Sequence, residues 1–260
     1  MSYTNRIYAM LAAGAAASAS ALPALAHDIV IFPEWKDGAV VVDVKYGHPQ
    51  DYQPIATEKL YSFVAVEPGK GMQSWRDQLK LDGMDLKMTQ KPAWNSDAGV
   101  VLLTAQYDNG YWSKNEDGKT VNTSKVTYPK SATGSHNLKY AKALVASGAS
   151  HAGFDAVVGH KLELIPLADP LTLQVGDKLP VAVRFNGKPL AGAGVEIGDS
   201  VTAIPEERIP RFKTDAKGVA LVPIGKAGWE VVGVDHEEKS PTPRLADKEK
   251  YTATLVFRLP

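Results

Sequence analysis

The sequence predicts a mainly β protein made of two antiparallel β-sandwich, Ig-like units, with one helix in the first. Three observations carry that prediction. Apolar and polar residues alternate in several short segments, which is the period of a half-buried strand. Other segments are rich in β-branched and aromatic residues and end in turn-forming Gly, Asn and Asp clusters. A proline-bounded stretch at 166–170 splits the chain into 27–166 and 167–260.

The elements follow in order. Residues 29–32 are apolar on both faces, as a sandwich-core strand requires. In 39–46, Val40, Val42, Val44 and Tyr46 alternate with their neighbours. Segments 60–67 and 99–107 have strand composition. The stretch 110–134 is polar and reads as a long loop or irregular hairpin. Segment 136–147 reads as the helix: Ser135 can cap it, and Leu138, Ala141, Leu144 and Val145 fall on one helical face. Short strands are expected at 178–185, 194–198, 219–223, 229–234 and 251–258. Asn186-Gly187-Lys188-Pro189 and Asp215-Ala216-Lys217-Gly218 supply turns between them.

The first 26 residues read as a secretory signal. Arg6 is their only charge, an Ala-rich apolar stretch follows, and Ala24-Leu25-Ala26 presents small residues where a signal peptidase cuts. The expected product begins at His27 and is periplasmic, with no membrane span left after cleavage. The chain carries 29 basic and 29 acidic residues, a balance that offers no field for nucleic acid or anionic lipid. It has no Cys, so any metal site must use His, carboxylates, Met or a free amino terminus.

Two stretches resemble a known family. One is Ala26-His27-Asp28-Ile29-Val30. The other is Gly159-His160-Lys161-Leu162-Glu163-Leu164-Ile165-Pro166, with Gly187-Lys188-Pro189-Leu190-Ala191-Gly192-Ala193 and Thr214-Asp215-Ala216-Lys217-Gly218 behind it. With Lys139-Tyr140-Ala141-Lys142-Ala143-Leu144, the whole resembles the periplasmic NikM-like family linked to bacterial nickel and cobalt uptake. The C-terminal part also resembles transthyretin-like and Ig-like modules. The resemblance implies a periplasmic β protein that handles a divalent metal, Ni(II) first, with Co(II) or Cu(II) as alternatives. It also implies a membrane metal-uptake permease complex as partner.

The residues give that reading a chemistry. Cleavage before His27 would free an α-amine, and that amine with ring Nδ1 of His27 closes a six-membered chelate. Both nitrogens titrate near neutrality and suit nickel, copper, cobalt and zinc. His48 continues the apolar face of Val40, Val42, Val44 and Tyr46, and His236 continues that of Val232 and Val234. His27, His48 and His236 are therefore the expected metal ligands. His160 reads as a core residue, and His136 and His151 read as exposed flanks of the helix. Asp28, Asp235, Glu237 and Glu238 are possible further ligands or acceptors for imidazole N–H groups.

No nucleophile elbow, zinc-binding His-Glu-x-x-His helix or phosphate loop is present, so the chain is not expected to be an enzyme. The alternatives are a copper-dependent polysaccharide oxidase built on an N-terminal His, and an Ig-like binding or adhesion module without metal. The five Trp residues read as core and loop anchors.

Overall fold

A computed structural model of the protein describes residues 27–67, 69–91, 99–146, 148–198 and 208–259. The expected signal segment and Trp94 lie outside the described residues. The first half runs β1 (Asp28–Lys36), β2 (Ala39–His48), β3 (Asp51–Gln53), β4 (Leu60–Glu67), β5 (Gly71–Ser74), β6 (Lys80–Asp82), β7 (Asp85–Gln90), β8 (Val100–Asn115), β9 (Thr120–Val121) and β10 (Ser131–Ala146). The second runs β11 (Leu162–Pro166), β12 (Lys178–Phe185), β13 (Lys188–Pro189), β14 (Gly194–Ile197), β15 (Arg211–Lys213), β16 (Val219–Pro223), β17 (Gly228–Lys239) and β18 (Lys248–Leu259). Among the described residues no helix is long and apolar enough to cross a membrane.

These strands form three sheets. A five-stranded sheet has the order β1-β2-β7-β6, with β3 on the end of β2. A nine-stranded sheet has the order β15-β14-β17-β18-β10-β8-β4-β5, with β9 on β8. A four-stranded sheet joins β11, β12 and β13, with β16 on β12. The nine-stranded sheet lies in the middle, and its alternation feeds two cores. Ala141, Ala143, Val145, Val101, Leu103 and Val256 face β1, β2 and β7. Tyr140, Leu144, Leu102, Val232, Leu255 and Phe257 face β11, β12 and β16.

The middle sheet takes strands from both halves of the chain. In place of two separate sandwiches, each core draws residues from 27–166 and from 167–260. The seam is β10 against β18, a parallel pairing from Ser135–Lys248 to Ala143–Val256.

The helix expected at 136–147 is corrected: it is the inner part of β10. This strand is antiparallel to β8 on one side and parallel to β18 on the other, and residues 139–145 are all buried. A strand covered on both faces reads as a continuous apolar run, and periodicity alone cannot tell it from a buried helix. The polar stretch 110–134 is also less irregular than expected, since β8 runs on to Asn115 and pairs with β9.

Buried lysines fill two positions in β10. Lys142, on the β11 side, lies 2.5 Å from Glu163, and both side chains are 2% exposed. Lys142 also donates to the carbonyls of Ala156 (2.9 Å) and Leu164 (3.3 Å). Glu163 in turn accepts the backbone N–H groups of Val158 and Gly159. The connection between β10 and β11 is thereby tied to the middle sheet.

Candidate metal centre

The antiparallel pairing of β1 with β2 sets the site. The register places Asp28 opposite Gly47, so His27 lies beside His48. Their ring centroids are 5.8 Å apart, at an interplanar angle of 65°. A metal ion sits about 2.0–2.1 Å from each ring nitrogen and a ring centroid roughly 1.1 Å further back, so two imidazoles on one ion have centroids within about 6.4 Å. The observed separation fits that geometry.

His48 is 2% exposed, at the rim of the first core. The His27 ring is open to solvent over about a quarter of its surface, and its Nε2 lies 3.4 Å from the Asp51 carboxylate. A carboxylate on Nε2 holds the proton there and leaves Nδ1 with its lone pair. The Tyr46 ring meets His27 edge-on at 5.5 Å and packs on Tyr107 at 5.3 Å.

Burial is the largest influence on His27 and pushes its pKa below the usual imidazole value. His48 and Lys139 push the same way, and Asp51 opposes them. The ring is therefore neutral near pH 7, as a ligand must be. Lys139 is itself buried, and loss of hydration lowers its ammonium to about 8. Among the described residues no three His, Asp or Glu side chains gather into a metal cage. A metal held by His27 and His48 needs a further donor of another kind.

Gly47 shapes the site. Its φ is +119°, and a Cβ there would lie 2.5 Å from the Asp51 carbonyl oxygen and 3.0 Å from Tyr52 Cα. The β2–β3 turn closes so tightly that no side chain fits between its arms. Gly47→Ala should displace Asp51 from His27 and cost about 2–4 kcal/mol, combining backbone strain with steric push. Urea unfolding checks this, and a loss below 1 kcal/mol would show that the turn yields freely.

The domain of unknown function DUF4198 matches residues 24–238, most of the chain. The chain belongs to this family. An uncharacterized protein of Haemophilus influenzae is 29% identical over 237 residues, covering 89% of this chain and 90% of the relative. A solved chimeric titin Z1Z2-Z1Z2 tandem aligns over 90% of this chain and 96% of its own at 12% identity. Its TM-score of 0.18 is too low to support any statement about the fold.

The DUF4198 chain places its other histidines elsewhere. His236, expected as a third ligand, lies on β17 on the face of Val232 and Val234, which is the β11–β12 side of the middle sheet. Its ring packs on Phe185 at 4.4 Å and stacks over Tyr251 at 6.5 Å. His27 approaches from the opposite side with β1, so the middle sheet separates the two.

His160 packs on Tyr140, and burial with Lys142 nearby lowers its pKa to about 4, so it is a neutral core residue. His136 and His151 are not the exposed flanks of a helix. His136 stacks on Tyr111 and pairs with Asp108 at 2.8 Å, and that hydrogen bond raises its pKa. His151 Nδ1 meets Asp169 at 2.6 Å. Of the acidic candidates, Glu237 pairs with Lys248, while Glu238 pairs with Lys161 and accepts from Tyr251. Asp51 was not among the candidates. Its signal was position, three residues after His48 across a Gly-His-Pro turn.

Proposed function

We propose that this protein is a periplasmic metal-binding protein serving transition-metal uptake. Ni(II) is the first choice of cargo and Co(II) or Cu(II) the alternatives. The observation that carries the reading is the pairing of His27 with His48, with Asp51 on Nε2 of His27. That arrangement frees Nδ1, the nitrogen that closes a six-membered ring with the amine of the same residue. Cleavage after Ala26 would release that amine and supply the donor that side chains alone do not provide. Two imidazoles and an amine form a nitrogen set suited to nickel and copper. The family resemblance at 26–30 and 159–166 supports a role beside a membrane permease complex, to which the protein would deliver its ion.

The test is direct. Exported protein should give an intact mass that begins at His27. Titrated with NiCl2 or CuCl2 in a calorimeter, it should bind one equivalent per chain and release protons into the buffer. A mature start several residues away, or no saturable binding of either ion, would refute the reading.

A further inference from the structure

A cleft lies on the opposite face of the same sheet. Along β2 the side chains alternate: Val40, Val42, Val44 and Tyr46 point into the core, while Val41, Asp43 and Lys45 point outward. Outward, they line an open cleft of about 600 Å³ with Phe32, Tyr52 and Trp229, and Pro49, Glu34 and Lys226 complete the lining. That volume is ordinary for a small-molecule site.

Its chemistry is specific. Three half-buried aromatic rings form the walls, with the edge of Phe32 against Trp229 at 5.4 Å. Lys45 is pinned between Asp43 (3.1 Å) and Asp85 (2.5 Å), 5.3 Å from the centre of the Tyr52 ring. Glu34 is matched by Arg258 at 2.9 Å. The Asp43 oxygen that faces Lys45 carries the acceptor capacity of this carboxylate, and its second oxygen is covered.

Each class of ligand makes a demand on such a cleft. A purely apolar ligand would strip water from Asp43 and Lys45 and give nothing back. An anion or a cation would meet a lining whose two carboxylates, Glu34 and Asp43, balance its two ammonium groups, Lys45 and Lys226, with little net field to hold it. A polyhydroxylated ligand with apolar C–H faces meets both demands. Each hydroxyl both donates and accepts, which suits a fixed carboxylate beside a fixed ammonium, and its ring faces stack on aromatic walls.

We infer that this cleft is a saccharide-binding site, independent of the metal reading. The probe is a glycan array of neutral bacterial and plant oligosaccharides, screened with labelled exported protein, and the best oligosaccharide is then titrated by calorimetry. Binding should be saturable. Asp43→Asn and Tyr52→Ala should each weaken it about tenfold, the loss of roughly one good hydrogen bond or one stacked ring. Thermal unfolding of both variants checks that the fold survives, and Trp229→Ala is avoided because that ring also packs on the core. No array signal overturns the inference. So does binding that both folded variants leave unchanged.

Discussion

Protein carrying one extra residue before His27 should bind nickel and copper at least about a hundredfold more weakly than protein that starts at His27. The extra residue converts the His27 amine into an amide and breaks the six-membered amine–imidazole chelate. It leaves every side chain, and the packing of β1 on the middle sheet, unchanged. That makes it a cleaner probe than His48→Ala, which also empties a buried position. His48→Ala should lose affinity to a similar degree, and His236→Ala should lose none, because its ring sits on the other side of the sheet. Affinity should also fall as the medium is acidified, since protons compete for the same lone pairs. Burial lowers the pKa of His27, so its share of that fall lies below about pH 6.5. If the extended protein binds both ions as tightly as the form that starts at His27, the amine is not a ligand.

The second large effect concerns stability. Glu163→Leu should destabilise the fold by about 3–5 kcal/mol, because it leaves the Lys142 ammonium buried without its anion. It also strips the N–H groups of Val158 and Gly159 of their acceptor. Lys142→Met should cost less, since the Glu163 carboxylate keeps both backbone donors. The double variant should recover part of the single loss, because removing both charges together avoids an uncompensated one. Urea unfolding of the three proteins decides the matter. Near-wild-type stability in Glu163→Leu would mean that water enters and hydrates Lys142.

Much of the strand inventory was legible from side-chain alternation. Segments 60–67, 178–185 and 219–223 coincide with β4, β12 and β16, and the outward and inward residues of β2 were correctly sorted. Pairing was not legible, because alternation says which face a residue takes and nothing about its neighbour strand. β10 shows the limit most clearly. Lys139 and Lys142, three apart, resemble the wet side of a helix, yet each is buried on a different face of the sheet. Charges inside a doubly covered strand defeat a rule that expects charge to mean solvent. The same gap explains the site. The sequence placed His27 and His48 at adjacent strand ends, which the β1–β2 pairing brings together. It also placed His236 at a strand end, but the face of the sheet that β17 presents there depends on pairing across the whole chain.

The parallel seam between β10 and β18 bears on how the protein reaches its native state. A chain that emerges from its amino end has made both flanks of the seam only when β18 appears, more than a hundred residues after β10. Until then the long central strand has one open edge, and each core lacks part of its wall. Local hairpins such as β1–β2 can close early, but the molecule cannot commit to its final topology until β18 has been delivered. Closing so long a loop is slow, and an exposed edge invites pairing with other chains. Loss of β18 should therefore be felt far from the cut, at the first strand, where the Thr254 hydroxyl donates to the carbonyl of Ile29.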